Sequence, residues 1–209
     1  MYLPPHFRED DHAKMVAFME AHAFATLVSV VDGAPFATHL PLIVETRANQ
    51  LVLTGHVAKP NAQWQGFAGA QSLAIFGGPH AYISPSLYEK VESVPTWNYI
   101  AVHAYGTPVA YRYADAPEKI QAMLERMMAE YDSNYLAQWE TLTDKFRTGM
   151  MMGIVGFEMV VTRLEGKAKL SQNRSLVDQM TVSEHLQHAT DPAVSAIGVG
   201  GNQARAVIE

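Results

Sequence analysis

The side chains best able to bind or react with a ligand are concentrated in one short segment, VPTWNYIAVHAYG, at residues 94–106. Successive side chains of a strand point to opposite faces. One face would carry Trp97, Tyr99, Ala101, His103 and Tyr105, and the other Asn98, Ile100, Val102 and Ala104. We expect the aliphatic face to meet the core. The aromatic face fits either a flat conjugated ligand or a subunit interface, where Trp and Tyr are also common.

A second candidate is a phosphate site in GHVAKPN, at residues 55–61. Here His56, Lys59 and Asn61 precede a short helix that we predict after the third strand. The N-terminus of a helix has unpaired N–H groups and a partial positive charge, so a lysine beside it favours an anion. The alternative is a lysine that is simply solvated.

A third candidate is GKAKLSQNR, at residues 166–174, which concentrates three cations, Lys167, Lys169 and Arg174, among hydrogen-bonding residues. The chain as a whole is acidic, with 15 Lys and Arg against 21 Asp and Glu and a net charge of −6. A local cationic run in such a chain indicates either an anionic partner or an exposed loop.

Several kinds of site and partner are not expected. There are no cysteines, and none of the nine histidines forms an HxxxH or HxH pair, so we expect no metal site. The acidic balance disfavours direct nucleic-acid binding. The first ten residues lack the apolar stretch of a signal peptide, and no run is long enough to span a membrane. We therefore expect a cytoplasmic protein with no membrane partner.

The order of the predicted elements indicates the fold. We expect a helix to about Ala23 and then an antiparallel meander, with a hairpin turn at Asp32 and Gly33. A helix is predicted after the third strand, a long loop before the aromatic strand, two helical stretches between 115 and 152, and a return strand from 153 to 166. The end is predicted to be helical from 178 to 188 and then loose. This order predicts a mainly β, α+β fold: a β-barrel with peripheral helices in a single domain, 1–209, with a helical insertion at about 115–152 and a helical C-terminal tail at about 175–209.

Several longer blocks of the sequence are distinctive: MYLPPHF, THLPL, GHVAKPNAQW, FGGPHAYISPSLY, VPTWNY, and IVGFE with GKAKLSQNR. In their order and spacing they resemble the PaiB-like family of FMN-binding negative transcriptional regulators. The chain departs from the family pattern at Pro60 and Ala62, and at Leu87, where Trp is commoner. The resemblance implies a split β-barrel, similar to flavin reductases and pyridoxamine phosphate oxidases, in a homodimer that holds FMN near the interface.

The resemblance also implies which residues bind the cofactor. The ring would lie along Thr38, His39 and Leu40, and the phosphate would meet His56, Lys59 and Asn61. Trp97, Asn98 and Tyr99 would lie near the ring or across the dimer, and Lys169, Ser171, Gln172 and Arg174 would complete a polar wall. The family label implies a transcriptional regulator. Because the chain is acidic, we expect it to act indirectly, without binding DNA itself. The alternatives are a flavin-dependent oxidoreductase that uses NAD(P)H and, third, a protein that binds another planar anion such as haem.

Overall fold

The computed structural model describes the backbone of residues 1–205 and the side chains of residues 1–201. The strands are β1 (Arg8–Glu9), β2 (Phe24–Val31), β3 (Ala34–Pro41), β4 (Ile43–Arg47), β5 (Gln50–Ala58), β6 (Ser72–Ile83), β7 (Thr96–Arg112) and β8 (Ile154–Lys169). The α-helices are α1 (His12–Ala21), α2 (Pro117–Tyr131), α3 (Ser133–Thr141), α4 (Asp144–Met152), α5 (Leu176–Gln187) and α6 (Pro192–Arg205). The sheet has the order β3-β2-β6-β7-β8-β5-β4, and β1 pairs with β8.

The chain divides into two compact units. The first unit comprises residues 1–18, 77–103 and 165 onward, and the second comprises residues 19–76 and 104–164. Strands β6, β7 and β8 contribute residues to both. None of the described helices is long and apolar enough to cross a membrane.

The second unit contains the meander. Strands β2 and β3 form an antiparallel hairpin whose turn residues, Asp32 and Gly33, have φ of 51° and 79°, as a tight hairpin turn requires. The predicted turn is therefore confirmed. The helices at 117–152 cover a cluster of buried residues that includes Met123, Met127 and Trp139. Thr143 divides the second of the two predicted helical stretches into α3 and α4, because its hydroxyl caps α4 by accepting from the backbone N–H of Phe146 at 3.3 Å.

The first unit packs α5 and α6 against strand residues, with Ile83, Leu170, Val182 and Ile197 in its core. The prediction that the chain loosens after residue 188 was wrong up to residue 205, because α6 packs tightly on α5. A Cβ at Gly198 would lie 2.7 Å from the backbone of α5, so the glycine at this position permits the close packing of the two helices. Residues 206–209 lie outside the described part of the chain.

Two strands are longer than predicted. Strand β6 continues to Ile83 through a segment predicted as loop, because Ala81 and Ile83 alternate into the core. Strand β8 continues to Lys169, since β1 pairs with Gly166 and Lys167. The alternation predicted for β7 is confirmed: Asn98, Val102 and Ala104 are buried, and the aromatic face is more exposed.

Candidate functional site

The first unit holds the residues of GKAKLSQNR at the end of β8 and in the turn after it. Lys167 and Lys169 are two residues apart on the strand and share one face. Ser171 has a φ of 71°, and the backbone N–H of Arg174 donates to its carbonyl at 2.9 Å, which closes the turn. We call Lys167, Lys169 and Arg174 the cationic cluster.

Lys169 is held firmly within this cluster. Its Nζ donates to Thr96 Oγ1 and to the carbonyl of Trp97, both at 2.5 Å. Burial lowers the pKa of Lys169, and repulsion from Lys167 and Arg174 lowers it further. The charges of the cluster therefore destabilise one another, and a bound anion would remove that repulsion.

Arg174 is positioned by an aromatic ring. Its guanidinium lies 4.0 Å from the centroid of the Tyr88 ring, and stacking of this kind leaves the N–H groups directed outward in the guanidinium plane. The ion pairs found within the described residues include none with Arg174, Lys167 or Lys169. The cluster thus keeps the charge and the donors that a phosphate group needs.

A cavity of about 180 Å³ lies beside Lys169 and Arg174. Its walls include Asn98 and Ser171, which are both buried and bonded to each other, with Asn98 Nδ2 donating to Ser171 Oγ at 2.9 Å. Tyr88 also lines the cavity, and its buried hydroxyl has no hydrogen-bond partner among the described residues. These groups suit a small anion that accepts hydrogen bonds.

Gln172 has a different environment from the rest of the predicted polar wall. Its Oε1 accepts from the Leu170 N–H at 2.7 Å, and its Nε2 donates to the Ala168 carbonyl at 2.5 Å. Both polar ends of the side chain therefore fix the turn, and Gln172 positions its neighbours.

The aromatic face of β7 is open in the first unit. Trp97 is 53% exposed, and its ring centroid lies 5.9 Å from those of His80 and Tyr82 on β6. Tyr99 lies on the same face as Trp97, and its ring is 5.1 Å from Lys167 Nζ. We call Trp97, His80 and Tyr82 the aromatic patch. Asn98 lies on the opposite face of the strand, because adjacent residues alternate.

The second unit holds the other predicted site residues, Thr38, His39, Leu40, His56, Lys59 and Asn61. We call them the second-unit group. The predicted helix after β5 is a 3-10 helix of only six residues, Ala62–Phe67. Asn61 caps it by accepting from the Gln63 N–H at 2.9 Å, and it donates to Thr38 Oγ1 at 3.0 Å. A helix of six residues adds little dipole to an anion site, so any phosphate binding here would depend on the side chains, and the assignment of His56, Lys59 and Asn61 stays a prediction.

The remaining members of the second-unit group differ in burial and in hydrogen bonding. His39 Nδ1 lies 2.9 Å from Thr26 Oγ1, and the Leu40 side chain is buried in the core. Lys59 is exposed. His56 Nδ1 is buried and has no partner among the described residues, and burial lowers the His56 pKa, which favours the neutral imidazole.

Gln63 was missed by the sequence reasoning. It is fully buried, and its Nε2 donates to the Leu27 carbonyl at 2.8 Å and to Ser29 Oγ at 3.1 Å. Thr96 and Tyr88 were also absent from the predicted site. The tyrosine lies in a long loop between two strands, which is a weak signal for function, whereas Gln63 has no distinctive pattern around it.

Among the described residues, no three His, Asp or Glu side chains lie close enough together to hold a metal ion.

Comparison with known proteins identifies the family. Residues 1–163 match the family described as "Putative FMN-binding domain". The chain belongs to this family. It is also 39% identical over 193 residues to the protease synthase and sporulation protein PAI 2 of Bacillus subtilis, with 92% of each chain covered, which confirms the resemblance to the PaiB-like family. FMN is the cofactor that the family assigns to this chain.

Solved structures show the same fold at low sequence identity. An FAD and haem binding protein from Mycobacterium smegmatis matches with a TM-score of 0.56 and 13% identity, over 78% of this chain and 73% of that one. A flavocytochrome from Azotobacter vinelandii matches with a TM-score of 0.53 and 12% identity, over 78% and 69%. The α+β split-barrel fold predicted from the sequence is confirmed.

Proposed function

We propose that this protein is an FMN-binding regulatory protein that acts through a small ligand or a protein partner and does not bind DNA itself. Family membership supports the cofactor. The net charge of −6 argues against direct DNA binding, because proteins bind the phosphate backbone through a broad basic surface. The three residues of the cationic cluster fit one phosphate group better than they fit a duplex.

The proposed phosphate site is the cationic cluster, with Lys169 and Arg174 as the charged contacts and Ser171 and Asn98 as hydrogen-bonding groups. The observation that carries this assignment is that Arg174 stacks on Tyr88 and has no ion-pair partner among the described residues. FMN, when bound, supplies a flavin ring that can take up and return electrons. Trp97 and Tyr99 are proposed to lie beside that ring.

The second-unit group is the competing assignment for the phosphate, with His56, Lys59 and Asn61 as contacts. Its exposed lysine supports this alternative, whereas the bonds that Asn61 already makes weigh against it. The flavin ring is proposed to lie along Thr38, His39 and Leu40. Leu40 would contribute only its backbone, because its side chain is buried in the core.

We also propose a homodimer that holds FMN near the interface. One support is the aromatic patch of the first unit, where Trp97 and Tyr82 are 53% and 52% exposed and in edge contact, since adjacent exposed aromatic side chains often mark an interface. A second support is the largely apolar outer face of the β2–β3 hairpin in the second unit, where Phe24 and Val30 are 69% and 52% exposed on either side of the Thr26–His39 pair. Apolar sheet faces of this kind are usually covered in the assembled protein.

The test of the phosphate site is an FMN titration followed by quenching of flavin fluorescence. Arg174→Ala should weaken FMN binding by about 1 to 3 kcal/mol, the range for hydrogen bonds to a charged group. Arg163→Ala is the matched control, because Arg163 also lies over a tyrosine ring, 3.5 Å from the Tyr105 centroid, but outside the cluster. Equal affinities for the wild type and Arg174→Ala would reject this site.

The regulatory role needs a second measurement. A gel shift with genomic fragments at physiological salt should show no specific complex, and salt-sensitive nanomolar binding to one fragment would reject indirect action. Oxidation of NAD(P)H by the FMN-loaded protein distinguishes the oxidoreductase alternative. Sustained oxidation of NAD(P)H with oxygen as the sole electron acceptor would favour the oxidoreductase alternative.

A further inference from the structure

The first unit contains a second cavity, of about 420 Å³, which is lined by residues of α1, α6, β7 and β8. Its apolar walls include Met15 and Phe18 of α1, Ile100 and Val102 of β7, and Leu170, which follows β8. Protein interiors are close-packed, and the few voids that they contain are rarely much larger than a water molecule. A space of this size is instead within the range of about 300 to 1,000 Å³ that is typical of small-molecule sites.

The strand residues that form the cavity lie on one face of the sheet. Ile100 and Val102 are two residues apart on β7, and Gly166 and Ala168 are two residues apart on β8, so each pair shares a face. Ile100 and Ala168 pack against the core of the first unit but are only partly buried. Apolar surface is therefore left open to the cavity, and a ligand that covers it would be bound favourably, because apolar area would be removed from water.

The charged residues of the lining do not favour an ionic ligand. Glu9 and Lys14 have opposite charges, so together they add no net charge, and the Lys14 side chain is exposed. Lys167 also belongs to the lining, but its side chain points to the other face of β8, where its Nζ donates to the Tyr2 carbonyl at 3.1 Å. A charged ligand would therefore lose its hydration in the cavity without gaining a buried partner of opposite charge.

We propose that this cavity binds a small neutral apolar molecule, with its body against Met15 and Phe18 and any polar end directed to solvent near the exposed Lys14. The site is additional to the proposed FMN site, because Lys169 and Arg174 line the smaller cavity and neither lines this one. Binding itself does not depend on a regulatory role. Only the use of this molecule as the small ligand of a regulator rests on the proposed function.

The absence of a side chain at Gly200 helps to create the space. Gly200 lines the cavity from α6, and a Cβ built on it would lie 3.7 Å from Leu170 Cδ1 and 4.0 Å from Ile100 Cδ1. Both distances are ordinary van der Waals contacts, so a side chain can begin here without a clash. A leucine at this position would place its remaining carbon atoms in the space that the ligand needs.

The experiment is an isothermal titration of octan-1-ol into the protein with and without FMN, with octanoate as the charged probe of equal chain length. We expect one octan-1-ol per chain in both cases. Octanoate should bind more weakly by about tenfold or more, because its carboxylate would be desolvated without a partner. From butan-1-ol to octan-1-ol, the affinity should rise by about fourfold for each added methylene group, as expected when each group is buried.

A substitution that fills the cavity tests its location. Gly200→Leu should weaken octan-1-ol binding by about tenfold or more, because the leucine carbons take the place of at least two ligand methylene groups. Gly149→Leu is the matched control, since Gly149 also lies within a helix, α4 of the second unit, and a Cβ built on it has nothing within 4 Å. The control should leave octan-1-ol binding unchanged.

Any of five results would overturn the proposal. They are the absence of saturable octan-1-ol binding, octanoate binding as tight as that of octan-1-ol, an affinity that does not rise with chain length, unchanged binding by folded Gly200→Leu, and binding to the FMN-free protein alone. The last result would show that the cavity is part of the flavin site. The series of alcohols uses the wild type, so the test stays decisive if Gly200→Leu fails to fold. Failure of FMN binding would leave octan-1-ol binding to the FMN-free protein intact, so the two proposals fail separately.

Discussion

The cationic cluster of the first unit and the second-unit group contain similar residue types, yet their hydrogen bonds have different roles. In the second unit, Asn61 caps a 3-10 helix and binds Thr38, so its side chain supports the local fold. In the first unit, Arg174 lies on Tyr88 with no ion-pair partner among the described residues. Residue type alone therefore does not reveal a binding site. What matters is the bonding capacity that remains after folding.

The largest effect expected from this comparison concerns Gln63, a buried residue of the second unit. Gln63→Met should lower the free energy of unfolding by about 2 to 4 kcal/mol, because the Leu27 carbonyl and Ser29 Oγ each lose a buried donor. Urea denaturation followed by circular dichroism measures this. Gln65→Met is the control, since Gln65 lies on the same 3-10 helix but is exposed. Equal losses for both variants would contradict a structural role for the buried glutamine.

The next effect concerns the aromatic patch. Trp97→Ala should weaken both dimerisation and FMN binding, each by about 2 kcal/mol, as is typical of aromatic anchors in interfaces. Light scattering with and without FMN, together with the fluorescence titration, measures both. Tyr131→Ala is a suitable control, because Tyr131 is an aromatic residue of similar exposure, 54%, at the end of α2. A wild-type protein that is monomeric and still binds FMN tightly would show that the site is not shared.

The sequence predicted the architecture better than the site. Alternation in β7 and the turn at Asp32 and Gly33 follow from local periodicity and turn chemistry, and both are confirmed. The C-terminal ends of β6 and β8 could not be predicted from local patterns, because contacts with residues distant in sequence extend both strands. Pairing with β1, for example, brings Lys167 onto a strand that we expected to end at Gly166.

The site was harder to predict, because its chemistry depends on which bonds the fold leaves unmade. Lys59 and Lys169 each lie in a motif that resembles the family, and the sequence gives no reason to rank one above the other. The structure distinguishes their surroundings: Lys59 is exposed, whereas Lys169 is held by Thr96 and the Trp97 carbonyl near two other cations. Long-range contacts such as these leave no local pattern.

A paired substitution of these two lysines tests the comparison directly. Lys169→Met should weaken FMN binding by about 1 to 2 kcal/mol, whereas Lys59→Met should weaken it by less than about 1 kcal/mol, as for a solvated charge. Thermal denaturation of the FMN-free variant is the folding control, because the substitution removes both the repulsion within the cluster and the hydrogen bonds to Thr96 and the Trp97 carbonyl. The reverse ranking of the two lysines would move the phosphate to the second-unit group.

The smallest effect expected is a pH dependence that comes from His56. Burial lowers the pKa of His56 below the ordinary value of about 6.5, so the unfolded chain binds the proton more strongly than the folded protein does. The stability contributed by the neutral imidazole is therefore fully present above about pH 6.5 and is lost as the pH falls toward the folded pKa. Denaturation between pH 8 and pH 5 should show a shallower acid loss of stability for His56→Gln than for the wild type.

The same imidazole distinguishes the cationic cluster from the second-unit group as the phosphate site. If His56 bound the phosphate as a cation, FMN binding would strengthen in acid and the gain would disappear in His56→Gln. We expect instead that the wild type and His56→Gln show the same dependence of FMN affinity on pH, because a buried, neutral histidine contributes no charge to the cofactor.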